Sequence, residues 1–151
     1  MKKLVVKSFV AGFIMVLAVL CGFCIKTKAF EFVQGDPFEQ PVKMRCTVYL
    51  DEGTTASGSQ TRNGIIAGRR EWLGKVAALY EIDENGNIGD FIGYYEFLDT
   101  GAGIDTDGDG LGDSIVNGQS VDVWQPSLND ALQWVADHGD YVYIKIIDGQ
   151  G

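Results

Sequence analysis

Histidine and cysteine are scarce in this sequence. His138 is the only histidine among 151 residues, and two of the three cysteines, Cys21 and Cys24, lie in an apolar N-terminal run. Beyond that run only Cys46 remains, so no intramolecular disulfide can form there. A zinc site built from Cys and His is excluded for the same reason. A Ser-His-Asp triad would have to use His138, which is better explained as a cation near the C-terminal end of a helix. The fold must therefore be held by its apolar core or by a metal.

Basic residues are also few. The chain has 12 Lys and Arg against 21 Asp and Glu, a net charge of −9, and its first 29 residues contain five lysines and no acid. The remainder thus has 7 basic residues against all 21 acidic ones, a net charge of about −14. A field of this sign repels phosphates, so we expect no nucleic-acid partner.

The N-terminus predicts export. Three lysines in the first seven residues precede an apolar stretch over 9–25, and Thr27 and Ala29 then supply the small residues of a cleavage site. We predict a signal peptide over 1–29 and a secreted or cell-wall protein that begins at Phe30. The alternative is a membrane-anchored protein with an uncleaved signal, because 17 apolar residues are near the lower limit for spanning a bilayer.

The rest of the chain predicts short strands and one helix. Alternating apolar residues predict strands at 44–50, 64–68, 75–82, 91–98, 120–124 and 141–147. Asn85-Gly86 predicts a hairpin turn. Ser127 as an N-cap and Gly139 as a stop predict a helix between them. We therefore expect one mainly β domain over 45–151, a small six-stranded barrel with a helix near the C-terminus, after an irregular lead-in over 30–44.

An acidic, glycine-rich loop interrupts this pattern within residues 102–115. Acids at alternate positions followed by Gly110 reproduce the first half of a calcium-binding loop of the EF-hand type. The predicted ligands are carboxylates and one backbone carbonyl, from Asp105, Asp107, Asp109, Leu111 (its carbonyl) and Asp113. Val116 stands where an EF-hand has its bidentate Glu. We predict structural calcium, and the alternative is a solvated Asp/Gly loop.

Three segments carry further motifs. The first is Thr47-Val48-Tyr49 with Thr55-Ala56-Ser57-Gly58; the second is 64–68 with Leu73-Gly74; the third is Leu98-Asp99-Thr100-Gly101 with 116–124. Together they resemble the 3D domain family, named for three aspartates and related to the catalytic barrel of the lytic transglycosylase MltA and to stationary-phase wall-lytic proteins. The resemblance spans about residues 45–148 and implies a double-psi β-barrel.

The resemblance implies two of the three family aspartates. Asp99 matches the aspartate of the D-T-G element, and Asp122 matches the one that closes the third segment. The acidic loop separates them by 23 residues instead of the family's eleven or so. The third aspartate has no counterpart in 67–74, where Glu71 is out of register.

The chemistry of these residues suggests glycosidic bond cleavage. Asp122 alternates with Val121 and Val123, so its side chain faces away from theirs, as a carboxylate lining a cleft should. It would act as acid and base, with Asp99 orienting it, raising its pKa or binding substrate hydroxyls. Candidate substrate-binding residues with polar side chains are Thr47, Tyr49, Thr55, Ser57 and Thr100.

The sequence thus predicts a secreted, monomeric enzyme that cleaves peptidoglycan glycan strands in the manner of a lytic transglycosylase. Two alternatives stay open. One is a non-catalytic, expansin-like module that binds wall polysaccharide, and the other is a calcium-stabilised secreted interaction protein.

Overall fold

The computed structural model describes residues 35–148. Its elements in chain order are β1 (Val42–Tyr49), β2 (Ile65–Ala67), a 3₁₀ turn (Arg70–Trp72), β3 (Val76–Ile82), β4 (Ile88–Asp99), β5 (Ser120–Trp124), helix α1 (Leu128–His138) and β6 (Tyr141–Ile147). The predicted signal peptide over 1–29, and its alternative of a retained anchor, lie outside the described residues. Within 35–148, no helix combines the length and apolar character needed to cross a membrane.

The six strands form a closed barrel. Around the ring their order is β1-β5-β2-β4-β3-β6, and β6 returns to pair with β1. The pairs β1–β5 and β2–β4 are parallel, and the other four pairs are antiparallel. Closure gives each strand two hydrogen-bonded neighbours, which protects the strand edges. The predicted mainly β, six-stranded architecture with one helix near the C-terminus is confirmed.

β1 begins earlier than the motif suggested. Val42 and Met44 are buried and lie opposite Ile144 and Val142 of β6. The apolar alternation of β1 therefore extends into the segment 30–44, which was expected to be irregular.

The β3–β4 hairpin is also longer than expected. β4 starts at Ile88, opposite Ile82, because the ladder continues through irregularities to the predicted turn at Asn85-Gly86. The 3₁₀ turn at Arg70–Trp72 was not predicted, since a single turn carries no apolar periodicity.

The core occupies the barrel interior. Phe97, Leu79, Val121 and Val123 are fully buried, and Trp72 packs on Phe97 with ring centroids 5.3 Å apart. Cys46 belongs to the same core cluster and is a free thiol. Apolar packing thus accounts for cohesion of the described residues without a disulfide.

Helix α1 has the bounds that the sequence predicted. The Ser127 hydroxyl accepts a hydrogen bond from the Asp130 amide at 3.2 Å, and Gly139 ends the helix at φ 74°. Trp134 is buried against the core, and its indole N–H donates to the Tyr95 hydroxyl at 3.3 Å. His138 Nδ1 lies 2.5 Å from Glu81 Oε1, so the histidine ties the end of the helix to β3.

Candidate functional site

The barrel places Asp122 on β5 and Asp99 on β4, the two strands that flank β2. Thr47 of β1 lies opposite Asp122 of β5, Asp122 lies opposite Ala67 of β2, and Ala67 lies opposite Asp99 of β4. These four residues form one row across four adjacent strands, here called the aspartate row. With strands about 4.8 Å apart, the Cα atoms of the two aspartates are roughly 10 Å apart across Ala67.

Asp122 faces away from the core, as its alternation with two valines predicted. Val121 and Val123 are fully buried, and Asp122 is partly buried on the opposite face of β5. Its Oδ1 atom is shielded from solvent and has no hydrogen-bond partner within residues 35–148. The pKa of Asp122 is raised, chiefly because burial disfavours the charged form; the Thr47 hydroxyl lowers it and the charge of Asp51 raises it.

Asp51 is a member of this site that the sequence did not reveal. It follows β1 by two residues, and its backbone carbonyl accepts a hydrogen bond of 3.0 Å from the Trp124 indole N–H. Raising the pKa of Asp122 was one of three roles expected for Asp99, but the neighbouring charge that raises it belongs to Asp51. The only sequence signal was its place directly after a strand that carries motif residues.

Both carboxylate oxygens of Asp99 accept hydrogen bonds. Its Oδ1 accepts hydrogen bonds from the backbone amides of Ala56 at 3.0 Å and Thr100 at 2.9 Å. Its Oδ2 accepts one from the Tyr49 hydroxyl at 3.1 Å. Tyr49 belongs to β1 and Asp99 to β4, so this contact spans the aspartate row. The pKa of Tyr49 is raised by burial first and then by Asp99, with Asp122 and Asp51 adding to the shift.

The loop that carries Thr55 and Ser57 is held beside Asp99. The Ser57 amide donates to the Leu98 carbonyl oxygen at 3.0 Å. The two hydroxyl groups bond to each other at 3.0 Å, and that of Thr55 also donates to the Ser59 carbonyl oxygen at 3.1 Å. Ser59, which was not predicted, completes the set through a 3.2 Å bond to Ser57.

The five predicted substrate-binding residues differ in what they contact. Thr47 and Tyr49 lie beside the two aspartates. Thr55 and Ser57 satisfy their hydroxyls within their own loop, and Thr100 contacts Asp99 through its backbone amide.

The segment 67–74 adds no third carboxylate to the aspartate row. Arg70–Trp72 forms the 3₁₀ turn, which buries Trp72 against the core. The Glu71 carboxylate is exposed and lies 3.4 Å from the Arg69 guanidinium.

The acidic loop brings three of its five predicted metal ligands together. Carboxylate oxygens of Asp105, Asp107 and Asp109 all lie within 4.8 Å of one another. The Asp105 carboxylate also accepts hydrogen bonds from the amides of Gly108 at 2.6 Å and Gly110 at 2.9 Å. These bonds lower the pKa of Asp105, the Gly108 amide most of all.

Asp113, another predicted ligand, is engaged within the loop by hydrogen bonds. The Asp113 carboxylate accepts hydrogen bonds from the Thr106 hydroxyl at 2.7 and 2.8 Å and from the side-chain amide of Asn117 at 3.1 Å. Leu111 is exposed and its amide donates to Asp109 at 2.8 Å. Asp113 therefore stabilises the base of the loop and is not part of the cluster of Asp105, Asp107 and Asp109.

The base of the acidic loop packs against β5 close to the aspartate row. The hydroxyls of Ser114 and Ser120 are both buried and bond at 2.6 Å. Ile115 is 1% exposed, and the Ile104 amide donates to the Ser114 hydroxyl at 2.9 Å. The acidic loop is thus joined by a hydrogen bond to Ser120, the first residue of β5, which precedes Asp122 by two residues.

Comparison of the chain with protein-family models, with curated proteins and with solved structures gives no match.

Proposed function

We propose that this protein is a secreted cell-wall enzyme that cleaves the glycan strands of peptidoglycan as a lytic transglycosylase does. The observation that carries the proposal is the different environment of the two aspartates in the aspartate row. Asp122 is partly buried with a raised pKa, and its Oδ1 has no hydrogen-bond partner among residues 35–148, while Asp99 is fixed by three donors. The carboxyl group of Asp122 is thus suited to carry a proton, and that of Asp99 is suited to fix the positions of its three donors.

Asp122 is the proposed acid and base. In its protonated form it gives a proton to the glycosidic oxygen as the bond from that oxygen to the anomeric carbon breaks. The 6-hydroxyl of the same sugar then attacks the anomeric carbon, and its proton passes to the Asp122 carboxylate. The product is a 1,6-anhydro sugar, and Asp122 returns to its protonated state. No water is consumed, so a single proton-carrying carboxylate is enough.

Asp99 and Tyr49 are proposed as positioning residues. Asp99 bonds the Ala56 amide and the Tyr49 hydroxyl at once, so it links the loop after β1 to the end of β4. That link sets the shape of the surface around Asp122 in the absence of a substrate. Thr47 adjoins Asp122 and is suited to orient its carboxyl group or a sugar hydroxyl.

The proposal includes a double-psi β-barrel as the fold, secretion as the location, and peptidoglycan or another wall polysaccharide as the partner. The parallel pairs β1–β5 and β2–β4 join strands that are not consecutive in the chain, which a double-psi β-barrel requires. The motifs of the 3D family and the N-terminal signal pattern favour such a barrel, exported as a monomer to act on peptidoglycan or another wall polysaccharide.

Calcium is proposed as a structural ion in the acidic loop. Three clustered carboxylates repel one another unless a cation offsets their charge, and oxygen ligands suit a hard divalent ion. The ion would be held by Asp105, Asp107 and Asp109, with Asp113 bracing the loop through Thr106.

Digestion of purified peptidoglycan tests the enzyme. Wild type should release 1,6-anhydro muropeptides, and Asp122→Asn should slow release by about 100-fold or more, the usual contribution of a general acid. Asp99→Asn should slow it less, because Asp99 acts through position. Glu84→Gln is the control, since Glu84 is an exposed acid in the β3–β4 turn. Equal release by wild type and Asp122→Asn would rule out Asp122 as the catalyst.

A second candidate is the non-catalytic, expansin-like module that binds wall polysaccharide. It is favoured because segment 67–74 adds no third carboxylate to the aspartate row, its Glu71 being exposed beside Arg69. The same experiment separates the two, because such a module would bind peptidoglycan and release no fragments.

A further inference from the structure

The half of the barrel away from β5 and β2 has an aromatic outer face. Val142, Ile144 and Ile146 of β6 are buried, as are Ala77 and Leu79 of β3, so the alternate residues of both strands point outward. In one row across the sheet, Phe91 of β4, Tyr80 of β3 and Tyr143 of β6 lie opposite one another. In the next row Tyr94, Ala78 and Lys145 do so. The aromatic face is defined as Tyr80, Phe91, Tyr94 and Tyr143, with Ala78 as its floor.

Two of these rings are unusually open to solvent. Tyr94 is 65% exposed and Phe91 is 49% exposed. The Phe91 ring lies 4.9 Å from that of Tyr94 and 5.4 Å from that of Tyr80, so the three rings form one contiguous patch. Tyr143 is fixed at the margin by its hydroxyl, which donates to the Gly86 carbonyl oxygen at 2.9 Å. A rigid aromatic patch with polar edges suits ligands that offer flat C–H faces and hydroxyl groups.

Lys145 adds a cation beside these rings. It shares a row with Tyr94 across the small side chain of Ala78. Among residues 35–148 no carboxylate lies within ion-pair distance of its ammonium group. A lone cation beside rings, in a chain with 21 acidic residues, matches a ligand that combines sugar rings with carboxylates. Peptidoglycan has both, in its glycan strand and its peptide stems.

The same charges argue against other occupants. Nucleic acids and anionic membranes present dense arrays of negative charge, whereas the aromatic face offers one lysine, Lys145, in a chain with a net charge of −9. A twofold dimer centred on this face would bring the Lys145 residues of two copies together, and like charges in contact oppose association.

We infer that the aromatic face is a second binding surface for a peptidoglycan glycan strand, distinct from the aspartate row. The choice of ligand rests on the proposed function, but binding here needs no cleavage. β4 connects the two surfaces: Tyr94 precedes Asp99 by five residues, about 17 Å along an extended strand. A strand bound on the aromatic face would therefore keep the protein on the wall while the aspartate row meets a neighbouring stretch of glycan.

Co-sedimentation with purified peptidoglycan tests the inference. The Phe91→Ala, Tyr94→Ala double variant should lose about tenfold or more in apparent affinity, as expected when central aromatic contacts are removed. Lys145→Ala should bind more weakly and with less dependence on salt. Leu132→Ala is the matched control, since Leu132 is 61% exposed on helix α1 and its variant should bind like wild type. Circular dichroism and melting curves show whether each variant is folded.

The outcomes separate this surface from catalysis. The double substitution should lower the apparent affinity by the same factor in wild type and in the Asp122→Asn background, so binding is weakened whether or not the protein cleaves. Absent binding by wild type, or equal binding by the folded double variant, would overturn the inference. A change of oligomeric state in light scattering with unchanged peptidoglycan binding would also overturn it and assign the face to self-association.

Discussion

The two aspartates of the proposed site differ in what surrounds each carboxylate. Asp99 lies at the end of a strand, where two backbone amides and a tyrosine hydroxyl reach its oxygens. Asp122 lies within a strand whose own amides serve the ladder, so its oxygens depend on side chains. Position along a strand, rather than residue type, thus decides which carboxyl group is left to carry a proton.

The burial of Asp122 predicts a pH-dependent cost to stability. Its pKa is higher in the folded than in the unfolded chain, so the folded state holds this proton to a higher pH. The contribution of Asp122 to the free energy of unfolding therefore falls as pH rises from its unfolded-state pKa to its folded-state pKa. Above the folded-state pKa the loss of stability is complete and no longer changes with pH. Asp122→Asn removes the charge and should melt at a higher temperature than wild type at pH 7.

Thermal melts from pH 3 to pH 7 check this expectation. The difference in melting temperature between Asp122→Asn and wild type should grow with pH and then level off. Glu84→Gln, which removes an exposed acid, should show a far smaller trend. A difference that is constant across this range would contradict the assignment of a raised pKa to Asp122.

At the scale of elements, the acidic loop brings three carboxylates close together. Its acids accept hydrogen bonds from the backbone amides of later loop residues, which shapes the turn but leaves three carboxylates close to one another. Its base is fixed to β5 through Ser114 and Ser120. Neutralising the tip should therefore stabilise the loop and, through its base, the strand that carries Asp122.

Calcium should raise the melting temperature. At a concentration about ten times its dissociation constant, an ion that binds only the folded state adds about 1.4 kcal/mol to the free energy of unfolding. The rise should disappear with a chelator and in the Asp105→Asn, Asp109→Asn double variant, while Glu84→Gln keeps it. A melting temperature indifferent to calcium in wild type would leave the loop as a solvated Asp/Gly turn.

At the scale of the whole molecule, the close approach of Gly68 to Phe97 holds the end of β2 against the barrel core. A Cβ atom at Gly68 would lie 2.5 and 2.7 Å from the Phe97 ring and 2.9 Å from Trp72. Phe97 is fully buried and cannot move outward without opening the core.

Gly68→Ala should therefore lower the free energy of unfolding by about 1–3 kcal/mol, the typical cost of overpacking. Gly93→Ala is the control, because its nearest neighbour would be Tyr95 at 3.5 Å, an ordinary contact. Denaturant unfolding of both variants measures the difference. A Gly68→Ala protein as stable as Gly93→Ala would show that the Phe97 contact does not limit packing.

Local patterns were enough to predict the separate elements. β5, β6 and helix α1 match their predicted bounds, because alternation, capping and turn residues act within a few positions of the chain. The Asp105, Asp107 and Asp109 cluster is equally local, since a sharp turn at Gly110 folds nearby acids together. The motifs also indicated Asp122 and Asp99 as a pair, although nothing local required them to meet.

Tertiary structure alone decided the rest. β1 pairs with β5 across more than seventy residues, and that register places Thr47 opposite Asp122 and Asp99 one strand beyond Ala67. Asp51 joins the site only because Trp124 of β5 holds its backbone. The aromatic face likewise exists only where three strands align. The sequence by itself determined which residues form strands, turns and the acidic loop, because those depend on near neighbours. Which side chains share a surface depends on barrel closure, which balances all strand registers against one common core.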